Sequence, residues 1–125
     1  MTIAAITLFC LLLIKHFICD FVLHTPWQIA GKGHYGAPGG LIHAGIHAAG
    51  TLVALLFVMP PFEVIAVVLG AEFIVHYHVD WVKEQTVRRM SWKEGARFWN
   101  AIGFDQLLHG LTYLAVVVYV TGWKG

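Results

Sequence analysis

Nine ionisable side chains interrupt otherwise apolar runs, and they fall four residues apart: His16 and Asp20, His43 and His47, Glu72, His76 and Asp80, Asp105 and His109. On a helix that spacing puts each set on one face, so each segment shows its polar atoms as a single stripe. Five imidazoles and four carboxylates are ligands for Zn²⁺, Mn²⁺ or Fe²⁺, not for Cu(I) or an iron–sulfur cluster. Four carboxylates gathered in low dielectric repel one another and take up protons. Two divalent ions would neutralise them, and one tetrahedral ion needs at most four ligands. The expectation is therefore one or two ions, with a carboxylate-bridged pair favoured. His43, His47, His76 and Asp80 are the first-choice ligands. Asp20 or Asp105 serves as bridging carboxylate or general base, and His16, His109 and Glu72 complete the metal set.

The elements carrying these residues are read as membrane helices. The 125-residue chain is 58% hydrophobic and 12% charged, with mean hydropathy +0.72. Soluble domains carry roughly twice that charged fraction. A net charge of +1 gives no electrostatic case for nucleic acid. Cys10 and Cys19, nine residues apart on one helix, would stand roughly 13 Å from each other, too far for a disulfide. The amino-terminal run lacks a basic leader and an A-x-A site, so it reads as a first span and not as a signal peptide. Four apolar stretches, at about 3–23, 41–59, 62–81 and 101–120, each approach the ~20 residues that cross a bilayer. A single transmembrane domain over 1–125 follows: all-α, an integral membrane four-helix bundle. Pro60-Pro61 ends the second span in a tight hairpin. The glycines of "GKGHYGAPGG" imply a mobile loop, and "SWKE" (91–94), a capping-box pattern, predicts a short amphipathic interfacial helix before the fourth span.

Lys32, Lys83, Arg88, Arg89, Lys93 and Arg97 fall in the two connections on one side, against Lys124 on the other. The positive-inside rule puts those connections in the cytoplasm and both termini outside, as expected of a multi-pass protein of the bacterial inner membrane. Trp27, Trp81, Trp92 and Trp99 then mark the inner interface and Trp123 the outer one. In this topology all four polar stripes lie in the cytoplasmic half, within roughly two helical turns of one another in depth. Intramembrane ionisable groups are costly and face partners or cavities. The expected result is a polar core near the cytoplasmic mouth.

A metal there would activate water and clamp a phosphoryl or acyl oxygen. Depth restricts the substrate to an amphiphile such as a phospholipid or polyprenyl-linked group, so a metal-dependent hydrolase is the leading reading. Lys83, a catalytic candidate beside Asp20 and Asp105, and Lys32 are placed to meet an anionic head group. Two rivals belong to other classes: a metal-ion or proton transporter, and a small structural subunit of a homo-oligomer or larger membrane assembly. Asp/Glu/His chains do serve proton relays, but Thr51 and Glu63 alone offer little to continue a path outward. Lys15, 100° from the stripe, reads as a snorkelling residue. His78 lies on another face from His76, His24 at a helix end, and His34 in a loop.

The segments "KHFICDFVLHTPWQ" (15–28), "HAGIH" (43–47), "HVDWVKE" (78–84, preceded by His76) and "DQLLH" (105–109) resemble a small family of bacterial and phage membrane proteins, domain of unknown function 3307. The likeness covers nearly the whole chain. It implies the same site list (His16, Asp20, His43, His47, His76, Asp80, Lys83, Asp105, Gln106 and His109) and a membrane location, with no substrate attached. His24 stands where glutamine is expected in relatives.

Overall fold

The computed structural model describes residues 2–122, which form five helices and no strand. Helix α1 (Ile3–Phe17) starts at Thr2, whose hydroxyl accepts from the Ala5 amide at 3.1 Å, and continues into a π-helical turn, Ile18–Val22. Short α2 (Pro26–Lys32) follows, then α3 (Pro38–Leu55), α4 (Phe62–Arg89) and α5 (Gly95–Gly122). Three helical segments are long and apolar enough to cross a membrane: Ile3–Val22, Phe62–Arg89 and Gly95–Gly122. Helix α3 is not among them, because His43, His47 and four glycines dilute its apolar content. It also begins earlier and ends earlier than the 41–59 expected. Its last turn closes at Leu55, and Met59 takes φ +52° ahead of Pro60-Pro61.

Two local expectations are corrected. No interfacial helix precedes the last long helix. Ser91 is not a cap for a new helix but the left-handed residue that ends α4, with φ +54°. Its amide bonds Arg88 O, and the Trp92 amide reaches back to Val87 O, a Schellman closure. Helix α5 then runs unbroken from Gly95, so Trp99 belongs to it. The short helix lies instead after α1. Thr25 caps α2 by accepting from the Gln28 amide at 3.3 Å, and Pro26 supplies the preset φ of a first helical position.

The glycine-rich stretch is a close-packed joint. A Cβ on Gly31 would sit 2.7 Å from Gly39 Cα and Gly40 N, so the α2 and α3 backbones touch where no side chain intervenes. Gly31→Ala is expected to cost about 1–3 kcal/mol through overpacking, read as a lowered unfolding midpoint in detergent.

Helix α1 packs against α3 and α5, and α4 against the same two, while α2 lies on α3 and α4. The interior changes character along its length. At one end Leu8 and Leu12 meet Leu55, Val64, Val68, Val117 and Val120 in a dry cluster. At the other, the same helical faces bury His16, Asp20, His43, His47, Glu72, His76, Asp80, Asp105 and His109. The outside is apolar, with Phe62 79% and Phe57 71% exposed. Polar residues inside and large apolar residues outside reverse the arrangement of a soluble domain.

Candidate metal centre

The π-helical turn introduces one site residue. It places Asp20 toward α3, with Oδ1 at 3.1 Å from His43 Nε2 and 3.4 Å from His47 Nε2. Such turns occur frequently at functional sites. Across the core, Asp80 Oδ2 stands 3.1 Å from His76 Nε2 and 3.4 Å from His43 Nε2, while its Oδ1 is 3.2 Å from His109 Nε2. Asp105 Oδ1 adds a contact to His109 at 3.4 Å. The His76 ring is stacked between those of His47 and His109, with centroids 3.8 and 4.0 Å away.

Two overlapping groups could hold a metal: Asp20, His43, His47 and His76, and His76, Asp80 and His109. Within each, one donor atom per residue lies within 4.8 Å of all the others, and every member is buried. At metal–ligand distances of about 2.0–2.1 Å, the edge between two ligands of a tetrahedral site is ~3.3 Å. The N···O separations of 3.1–3.4 Å match that edge. Direction then distinguishes a metal from a proton. A hydrogen-bonded proton lies on the N···O line, whereas a metal ion sits off it. His43 Nε2 and His109 Nε2 hydrogen-bond Asp20 Oδ1 and Asp80 Oδ1 at 3.1 and 3.2 Å, whereas His47 Nε2 and His76 Nε2 make no hydrogen bond although a carboxylate oxygen is within 3.4 and 3.1 Å of them. Buried polar atoms normally find partners, so these orphaned nitrogens call for an explanation.

Outer partners fix some of the rings, while His76 Nδ1 is buried without a hydrogen-bond partner. Gln28 Nε2 donates to Leu23 O at 2.9 Å, which leaves its Oε1 facing His43 Nδ1, also at 2.9 Å. That network assigns the proton to Nδ1 and turns Nε2 toward the two aspartates. A metal-ligating imidazole typically holds its other nitrogen in this way. His16 is arranged differently. Gln106 Nε2 donates to Asp20 Oδ2 and Asp105 Oδ2, so its Oε1 faces His16 Nε2 at 2.7 Å, and Tyr113 Oη bonds His16 Nδ1 at 2.7 Å. Both His16 nitrogens are engaged, and His16 belongs to neither metal group. Glu72 also lies outside them, paired with Lys15 at 2.5 Å. Asp105 stands at the edge, with Oδ1 lacking a hydrogen-bond partner.

Lys15 does not snorkel. Its Nζ donates to Glu72 Oε1 and to His47 O at 3.1 Å, and stands 3.3 Å from His47 Nδ1. Three donors meet three acceptors, so in the metal-free protein the His47 proton resides on Nε2. A cation binding there displaces it. Lys32 is likewise interior, 3.3 Å from Asp80 Oδ2. His24 stacks on His43 and donates from Nδ1 to Asp20 O at 2.8 Å. Burial first, and then the Lys32 charge, hold its pKa down at about 4, so the ring is neutral near pH 7. Lys83 pairs with Glu84 at 3.1 Å, His34 is exposed, and His78 is held by Tyr35 Oη and Ile74 O away from the centre.

Sequence reasoning missed Lys15, Gln28, Lys32 and Tyr113 as interior residues, although each continues a visible stripe. Lys15 follows Ala5, Leu8 and Leu12 at helical spacing, Gln28 and Lys32 are four apart on α2, and Tyr113 extends Asp105–His109.

A family model described as "Protein of unknown function (DUF3307)" matches residues 8–124. The chain belongs to the DUF3307 family. The match takes in both candidate groups together with Gln28, Lys32 and Gln106. Among the curated proteins and the solved structures, none matches this DUF3307 chain.

Proposed function

We propose that α1, α3, α4 and α5 form a four-helix bundle embedded as a single multi-pass domain in a bacterial inner membrane, and that its polar end is the metal centre of a hydrolase acting on an amphiphilic, lipid-like substrate. Helix α3 serves as the second span, sheltered by its neighbours from the lipid its histidines would not tolerate. The basic residues after Asp80 put the polar end at the cytoplasmic face and both termini outside. The observation that carries the metal reading is His76 Nε2, a buried imidazole nitrogen 3.1 Å from Asp80 Oδ2 but off the hydrogen-bonding direction.

Charge bears on the number of ions. Lys15 and Lys32 offset two of the four interior carboxylates, leaving an excess of two negative charges that one divalent cation neutralises. With two lysines inside, one ion of Zn, Mn or Fe suffices, and a carboxylate-bridged pair is not needed. His76, Asp80 and His109 offer three protein ligands, the number found in catalytic sites that keep a position open. A cation bound there supplies an activated water and a clamp on a phosphoryl or acyl oxygen. Asp105 Oδ1 lies beside His109 Nε2 at 3.4 Å, next to where the ion would sit. Gln106 holds both Asp105 and Asp20 in place, and Lys32 pairs with Asp80 at 3.3 Å. Transport is disfavoured because the Leu8–Leu12–Leu55–Val117 cluster closes the other half of the interior with apolar side chains.

Metal analysis of the detergent-purified protein tests the reading. About one divalent ion per chain is expected, removable by chelation and accompanied by a higher unfolding midpoint when restored. A metal-free preparation whose stability ignores added Zn²⁺, Mn²⁺ and Fe²⁺ overturns it. Gln28→Leu frees Nδ1 of His43, which belongs only to the group with Asp20, so metal affinity is expected to stay within a few-fold of wild type by titration against a competing chelator. A loss of about 10–100-fold would place the ion among Asp20, His43, His47 and His76 instead.

A further inference from the structure

A cavity of about 540 Å³ opens between α4 and α5, within the ~300–1,000 Å³ span of ligand sites. Its walls are mostly apolar, with Val79, Val82, Phe104 and Leu108 contributing. Val82 and Phe104 are 54% and 61% exposed on the side that faces lipid in the proposed bundle. Lys83 and Asp105 also line it, a cation beside a carboxylate. Asp105 is only 4% exposed, and its Oδ1 is a buried acceptor that no protein group satisfies. The same oxygen stands 3.4 Å from His109 Nε2, so the cavity wall and the metal centre share a residue.

We propose that this cavity binds one phospholipid molecule, its acyl chain against Val79, Val82, Phe104 and Leu108, its phosphate on Lys83, and a hydroxyl or ammonium of its head group donating to Asp105 Oδ1. Each part excludes a simpler occupant. Inorganic phosphate has no use for the apolar walls. A hydrocarbon or sterol ring leaves the Asp105 acceptor unanswered, and burying an acceptor unpaired costs about 1–3 kcal/mol; Lys83 already pairs with Glu84 and can share its ammonium with a phosphate. A choline head carries the phosphate but no hydrogen-bond donor, so glycerol and ethanolamine head groups are preferred over choline. The inference names the substrate class for the proposed hydrolase and rests on that reading for the lipid's fate, but not for its binding.

Trp92 lines the same cavity and reports occupancy. The protein is placed in phosphatidylcholine nanodiscs containing graded amounts of dibrominated phosphatidylglycerol, phosphatidylethanolamine or phosphatidylcholine. Quenching of Trp92 is obtained by subtracting the signal of Trp92→Phe. Half-quenching is expected at a roughly tenfold lower mole fraction for the glycerol and ethanolamine lipids than for the choline lipid, the size of one charge-assisted hydrogen bond. Lys83→Gln, at the cavity edge and outside both metal groups, is expected to weaken all three lipids together by a similar factor. Asp105→Asn is expected to remove the preference among them. Equal quenching by the three lipids in the wild type, or the same curves in Lys83→Gln, overturns the proposal even if Asp105→Asn fails to fold. Metal content is measured on the same samples. Lipid discrimination in a protein that binds no metal would leave this site standing and remove the hydrolase reading. Bound metal without discrimination would do the reverse.

Discussion

His76→Ala is expected to leave the purified protein with less than a tenth of the wild-type metal, the largest effect of any single imidazole. His76 alone belongs to both candidate groups, so wherever the ion sits, this ring is lost as a ligand. Outer partners of a metal ligand are themselves worth about 10–100-fold in affinity, so removing the ligand should cost more than 100-fold. The neighbouring variants locate the ion. His109→Ala removes a ligand only from the group with Asp80, and His47→Ala only from the group with Asp20. If the ion sits among His76, Asp80 and His109, as proposed, His109→Ala follows His76→Ala in losing metal while His47→Ala retains it. The measurement is elemental analysis of protein eluting as a single species from gel filtration, which separates loss of metal from loss of fold. Retention of wild-type metal by His76→Ala would remove the centre as described.

The gathering of these side chains is legible in the sequence because helical periodicity is a strong signal and a charge within an apolar run a rare one. The i,i+4 pairs alone brought the polar stripes of four helices to a common level, where each of those helical faces changes from polar to apolar. What the periodicity left out is also physical. Lys15 lay on the apolar stripe of α1, where a lysine looks like a misfit until its counter-charge, Glu72, is seen arriving from another helix. A one-helix reading cannot supply that partner. The same one-helix reading groups Glu72 and His16 with the metal ligands, whereas Gln106 and Tyr113 take both His16 nitrogens. The short helix was expected from "SWKE", although "TPWQ" carries a cap, a proline at the first helical position and the i,i+4 pair Gln28–Lys32. The serine failed as a cap because α4 needed a left-handed residue to close, and it took that role. In "GKGHYGAPGG" the glycines serve close approach of two backbones, an outcome that composition alone does not separate from mobility.

Lys15→Met is expected to destabilise the protein by about 3–5 kcal/mol, because it strands a buried carboxylate. The Glu72 side chain is fully buried and that of Lys15 8% exposed, so neither charge has water to fall back on. Glu72→Leu should cost a comparable amount by stranding the ammonium. The double variant Lys15→Met/Glu72→Leu removes both charges while keeping most of the volume, and buried pairs replaced in this way are often nearly neutral. Full neutrality is not expected here. Lys15 also faces His47 Nδ1, an acceptor that a methionine leaves unsatisfied. A residual loss of about 1–3 kcal/mol should remain. A double-mutant cycle on unfolding in detergent measures the coupling directly, with an expected magnitude of several kcal/mol. Additive losses would mean that the two charges do not face each other across α1 and α4. The offset that favours one divalent ion over two would then fall with them.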